Sequence, residues 1–207
     1  VKTTYTEING KFGDNTPYQL RKPIFTIADP YIDLPDEYLI SPRVAPPVFG
    51  RGLLEAISDE TLLGWADEYD LNNDGISGRV NQVWDIVSET TVTGRFGLKA
   101  NSPSVLVQTA GAYHSDMGIT NELFPMESTV NQPQNDGSKD DPELRKDVLN
   151  DVVFYIQTLA VPARRNINDP IVKKGQMLFD QAGCASCHIP TVTTGVLDAV
   201  PEVSNQI

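Results

Sequence analysis

The chain is poor in the residues that carry covalent and metal chemistry. Of its 207 residues, two are cysteine, two histidine and three methionine. Both cysteines fall in one short stretch, so no thiol is left for a disulfide elsewhere. No second Cys-x-x-Cys or histidine pair exists to complete a four-ligand zinc site. Basic residues are scarce as well: 16 Lys and Arg against 28 Asp and Glu give a formal charge of -12 and a pI near 4.5. That balance argues against nucleic acid or an anionic membrane surface as a partner. It suits a basic protein partner, or solubility alone. No apolar run is long enough to span a bilayer. No secretory leader is visible at Val1, and the chain does not begin with Met, so it reads as a piece of a longer protein. There is no Ser/His/Asp array, phosphate loop or internal repeat.

What the chain does have is Cys184-Ala185-Ser186-Cys187-His188. Two cysteines separated by two residues can each take one vinyl group of a haem as a thioether. The histidine that follows then becomes the proximal iron ligand. Cys-x-x-Cys-His is the signature of c-type haem attachment, which takes place outside the bacterial cytoplasm. The approach agrees with it. Asp169 is suited to an N-cap and Pro170 to the first helical position. Ile171, Gly175, Leu178, Phe179 and Ala182 share one helical face, and Gly183 ends the helix. Three other readings of the pair remain. A thioredoxin-like dithiol wants a preceding strand and a lowered thiol pKa at a helix N-terminus, and here a helix ends instead. A zinc site lacks its other ligands. A plain disulfide suits a secreted protein.

Elsewhere the pattern predicts strands at Thr3–Ile8 and Tyr18–Ile27, with a turn at Asn9-Gly10. Pro23 assigns the second strand to an edge or bulge. An irregular, proline-rich connection covers Asp29–Pro47. Val48–Ile57 reads as a weak helix because of Gly50 and Gly52. Ser58 caps a short helix containing Leu62, Leu63, Trp65 and Ala66, whose aromatic residue reads as core. Arg79–Ile86 and Thr91–Phe96 read as short strands. Ser102 and Pro103 open a helix running to about Tyr113, followed by a loop that holds His114 and Met117, both possible haem ligands. Asn131–Asp141 is the linker candidate. A strong helix starts at Pro142, with Leu144, Val148, Leu149, Val152, Tyr155, Ile156 and Leu159 on its apolar face. Arg164 and Arg165 precede the haem helix, either as partners of haem propionates or as solvent-facing charges.

Asp70-Leu71-Asn72-Asn73-Asp74-Gly75-Ile76-Ser77-Gly78 matches the front half of an EF-hand loop. Asp70, Asn72 and Asp74 would supply side-chain oxygens to calcium and Ile76 a backbone carbonyl. Asn81 stands where a bidentate Glu belongs, and a solvated Asx turn fits the same residues.

Several stretches together carry a family resemblance. They are Ser41-Pro42-Arg43-Val44-Ala45-Pro46-Pro47, Gly52-Leu53-Leu54-Glu55-Ala56-Ile57, Asp74-Gly75-Ile76-Ser77-Gly78-Arg79, Gly94-Arg95-Phe96-Gly97, Asp116-Met117-Gly118-Ile119-Thr120, Leu159-Ala160-Val161-Pro162-Ala163-Arg164-Arg165, and the haem motif. In this order they resemble the bacterial di-haem oxidoreductases, also called thiol-oxidoreductase-like proteins. The resemblance implies a soluble periplasmic protein with two haems c, related to di-haem cytochrome c peroxidases, taking electrons from a redox protein or small donor. Peroxide reduction by the full-length protein is the implied activity, with a non-catalytic electron carrier or a haem-free thiol or binding module as alternatives. The family's first haem motif would precede Val1, and its distal methionine and closing helix would follow this chain. The expected fold is mainly α: cytochrome c-like helices with a small N-terminal β-element and long irregular connections. Residues 1–135 would be the inter-haem region and the remainder of a first cytochrome c-like domain, and residues 136–207 the N-terminal part of a second.

Overall fold

A computed structural model describes residues 1–31, 33–34, 37–132, 135 and 137–207. It divides into two compact units, Val1–Ala45 and Pro46–Ile207.

The first unit is an antiparallel hairpin of β1 (Lys2–Lys11) and β2 (Pro17–Thr26), with Lys2 opposite Thr26 and Lys11 opposite Pro17. The turn is not at Asn9-Gly10. Both residues lie inside β1, and Gly10 faces Tyr18, whose ring occupies the space a Cβ would need. An aromatic residue covering a strand glycine restores the packing that glycine lacks. The chain reverses later, where the Phe12 amide donates to the Thr16 carbonyl at 2.9 Å and Asn15 adopts a φ of 68°. In a two-stranded ribbon both strands are edges, which is where Pro23 belongs. The Asp29–Pro47 connection falls partly on residues 32, 35 and 36, outside the described residues.

The second unit is built from five helices and a small sheet: α1 (Arg51–Glu55), α2 (Asp59–Gly64), β3 (Gln82–Asp85), β4 (Thr90–Thr93), α3 (Val105–Met117), α4 (Lys146–Thr158) and α5 (Pro170–Gln181). Ser58 caps α2 by accepting the Thr61 amide, as its sequence position predicts. Trp65 lies just past α2 and is 42% exposed, so it is not core. β3 and β4 are a short hairpin whose turn is held by the Asp85 carboxylate. Helix α3 does not stop at Tyr113. It continues through His114 to Met117, because no breaker intervenes before Gly118, which turns left-handed at φ 72°. The linker expected over Asn131–Asp141 includes residues 133, 134 and 136, outside the described residues. Helix α4 begins at Lys146 rather than Pro142. The residues before it serve Thr120 instead: Thr120 accepts from the Glu143 amide at 3.0 Å and its own carbonyl takes the Leu144 amide at 2.9 Å.

Helices α3 and α4 pack on each other around Phe96, Val105, Ala110, Leu149 and Val153, with Tyr113, Phe124 and Ile156 at the margin. The buried stripe of α4 centres on Leu149 and Val153, and Tyr155 faces solvent. Asn121, fully buried, donates to the Ala110 carbonyl at 2.9 Å and accepts the amides of Leu123 and Phe124.

Helix α1 wedges against both long helices. Gly52 lets its backbone approach the Gln157 carbonyl of α4. Glu55 takes the first amide of α3, Val105 N–H, at 2.8 Å and the Gln157 side-chain amide at 2.5 Å. Arg95 donates to the Ile57 carbonyl and to Asp59, fixing the passage from α1 to α2.

These contacts correct the expected fold class. Among the described residues, helix with its 3-10 turns accounts for 27% of the chain and strand for 15%, in short helices and two small sheets, so the chain is not clearly mainly α. The physical reason is the 15 Gly and 15 Pro, which divide the apolar periodicity into short pieces joined by irregular chain.

Candidate haem site

Helix α5 starts as its sequence predicts. Asp169 accepts the Ile171 amide at 2.8 Å and Pro170 fills the first turn, where its missing N–H costs nothing. It ends at Gly183, which is left-handed at φ 73° and turns the chain into a 3-10 turn over Cys184–Ser186. The Cys184 carbonyl then accepts two amides, from Cys187 at 3.2 Å and His188 at 2.9 Å. One compact turn therefore places a cysteine at each end and the histidine next to the second. Both thiols are free, Cys184 partly buried and Cys187 exposed. The His188 ring is exposed and lies beside that of Phe179, 6.0 Å between centroids and tilted by 57°. That separation lies in the range of edge-to-face aromatic pairs.

No residue of α5 is buried. Its chief neighbour is the Cys184–Ser186 turn. Ile171, Met177, Leu178 and Phe179 all stand substantially exposed, as does Ile189 beyond the motif. A helix with a distinct apolar face normally buries it against another element. Along it runs an open cleft of about 560 Å³ lined by Arg164, Val172, Gly175, Gln176, Phe179, Asp180, Pro190 and Thr191. That volume is within the span of small-molecule and cofactor sites, roughly 300–1,000 Å³. Neither cysteine nor His188 lines the cleft, and Phe179 links the two. The donor set fits a covalently attached haem. Reduced thiols stand a turn apart, the His188 imidazole has no hydrogen bond among the described residues, and the adjoining helix face is apolar and exposed. Sequence periodicity chose Ile171, Leu178 and Ala182 along with Gly175 and Phe179. The cleft keeps the last two and adds Val172, Gln176 and Asp180, a row spaced every four residues beside them.

The other candidate ligands are separate from this turn. His114 lies within α3, where its Nε2–H donates to the Met126 carbonyl at 2.9 Å and its ring stacks on Phe124 at 5.3 Å. Met117 ends the same helix with its side chain exposed. At the acidic loop, Asp70 accepts the amides of Asp74 and Gly75, Asn72 accepts that of Asp74, and Asp74 accepts that of Ile76 at 2.8 Å. Asp67 takes the Leu71 amide at 2.8 Å. The Asn72 and Asp74 bonds are Asx turns and those of Asp67 and Asp70 reach four or five residues on, so these side-chain oxygens are directed at the loop's own backbone. Among the described residues, no group of three or more His, Cys, Asp or Glu could hold a metal ion.

No helix among the described residues is long and apolar enough to cross a membrane. No curated protein and no solved structure matches the chain. A family model does, that of "Di-haem oxidoreductase, putative peroxidase", over residues 1–204. With its haem motif at the end of α5 and this match along nearly its whole length, the chain belongs to the di-haem oxidoreductase family.

Proposed function

We propose that Cys184 and Cys187 hold a haem c, that His188 is its proximal iron ligand, and that the protein carries electrons in the periplasm toward peroxide. One observation carries this reading. Two free thiols bracket a single turn, a histidine with an exposed ring beside Phe179 follows, and the adjoining helix face is uncovered. Each thiol adds across one vinyl group: sulfur bonds to one vinyl carbon, the thiol proton goes to the other, and no oxidant is consumed. When bound, the haem supplies one-electron chemistry at iron. The chain's residues do the rest. Cys184 and Cys187 fix one edge of the group, His188 donates a nitrogen lone pair, and Phe179 with the α5 face keeps water from that side. Two electrons, delivered singly by a redox protein or small donor, and two protons convert hydrogen peroxide to two waters. The Asp70 loop has no part in this reading, since its oxygens already serve the backbone.

The test is expression in a host that matures cytochromes c, followed by acid–acetone extraction. A Soret band that stays with the chain is expected, and Cys184→Ala together with Cys187→Ala abolishes it. Peroxide turnover by the full-length protein with a reduced donor then separates an enzyme from a carrier. A colourless product with two titratable thiols overturns the haem assignment.

A further inference from the structure

We infer that Arg164 anchors a haem propionate, making it the residue that orients the ring in the α5 cleft. This rests on the haem reading above.

The cleft is asymmetric in its chemistry. Val172, Gly175, Phe179 and Pro190 give it apolar walls beside the uncharged polar Gln176 and Thr191, and Gly175 has open space where a Cβ would be. Its charged lining consists of Arg164 and Asp180. Among the described residues, no ion pair or hydrogen bond engages the Arg164 guanidinium, whereas Arg95 and Arg145 are paired with Asp59 and Asp147. A haem combines an apolar ring with two carboxylates. The apolar walls suit the ring, and a guanidinium offers paired donors in the geometry a carboxylate accepts. The rest of the molecule makes this cation matter. The chain carries a formal charge of -12, so a carboxylate brought to its surface meets a net repulsive field. Asp180 adds to that repulsion within the cleft itself. Arg165 is the natural comparison, because it is adjacent in sequence, exposed, and absent from the cleft lining.

The residue acts through the propionate and not at iron, so it is a positioning residue. Its signature is the redox potential. A cation beside the group favours the reduced form, and it also holds the propionate ionised across neutral pH. An opposite charge nearby shifts a carboxyl pKa by about 1–3 units, so losing it raises the propionate's proton affinity roughly tenfold or more. The experiment is redox titration of the haem-loaded protein from pH 5 to 8, for wild type, Arg164→Gln, Arg164→Lys and Arg165→Gln. Haem content is measured in parallel. The expected result is a more negative potential for Arg164→Gln, with a pH dependence absent from wild type and from Arg165→Gln, and partial recovery in Arg164→Lys. Should Arg164→Gln take up no haem, recovery of haem by Arg164→Lys with normal uptake by Arg165→Gln supports the anchor. Equal potentials and pH profiles in all four proteins overturn it. So does equal loss of haem in the Arg164 and Arg165 variants. Wild type without haem instead refutes the attachment reading, which keeps the two failures distinct.

Discussion

Gly52→Ala probes the joint on which the second unit is built. The added Cβ would lie 2.8 Å from the Gln157 carbonyl carbon and 2.9 Å from its Cα, with the carbonyl oxygen nearer still. Nonbonded carbons settle at about 3.5–4.0 Å, so α1 must withdraw from α4 by roughly 1 Å. The obstacle is backbone on a long helix, which cannot rotate aside as a side chain would. Forced overpacking of this kind costs about 1–3 kcal/mol. The retreat also stretches the 2.8 Å bond from the Gly50 amide to the Leu159 carbonyl and the 2.5 Å contact between Gln157 and Glu55. Each such bond contributes about 0.5–1.5 kcal/mol. Alanine's better helix propensity returns up to about 1 kcal/mol. The net expectation is a loss of about 2 kcal/mol, which for a chain of this size lowers Tm by about 4–8 °C. Urea and thermal melts followed by far-ultraviolet circular dichroism measure it. Gly64→Ala is the control, because nothing lies within 4 Å of its added Cβ, and it should be neutral or slightly stabilising. A Gly52→Ala protein as stable as Gly64→Ala would refute the close-approach argument.

Two further outcomes follow from the same structure. Leu149 is fully buried between α3 and α4, and Leu149→Ala should cost about 3–4 kcal/mol, read as a lower urea midpoint with unchanged slope. Desolvation is the largest single influence on Asp85 and pushes its pKa up, but the Ser88 hydroxyl and the amides of Val87 and Ser88 together outweigh it, and the net shift is downward. Its contribution is therefore complete above the unfolded carboxylate value of about 3.9 and is lost as pH falls through the folded value. Thermal melts should show Asp85→Asn separated from wild type at pH 6, with the gap closing below about pH 4. A gap that widens on acidification would show the sign to be wrong.

Local rules recovered the elements whose signals are local. Ser58 and Asp169 are caps because a side-chain oxygen needs only the next few amides, and α5 follows from Pro170 to Gly183 by the same logic. The haem motif was legible for a similar reason: its chemistry lies in five consecutive residues. What failed needed contacts from far along the chain. Asn9-Gly10 has the composition of a turn, yet the Tyr18 ring across the ribbon makes it strand. Pro142 looks like a helix start, yet Thr120 claims the segment that follows it. The short stretches that carry the family resemblance were visible, but their work was not. Gly52, Glu55 and Arg95 meet at α1, and only the folded chain reveals them as the joint between helices. The mainly α expectation erred because it extended the helical pattern of α5 over a chain whose glycines and prolines leave long irregular connections between its helices.

The two ends of α1 have a role that extends beyond packing. The N-cap amide, Gly50 N–H, is bound by the Leu159 carbonyl as the chain leaves α4. The C-cap carbonyl, that of Ala56, binds the Gly195 amide at 2.7 Å as the chain comes back, and Val200 and Val203 then close over Ala56. Residues 160–194, with the haem motif inside them, thus depart from one pole of a five-residue helix and return to the other, about 9 Å away. Such an excursion is a cartridge. Its two connectors are backbone hydrogen bonds that read no side chain, and its seat is fixed by the hub and not by its cargo. Its length and side chains can vary while the bonds from Gly50 to Leu159 and from Gly195 to Ala56 hold both its ends to α1.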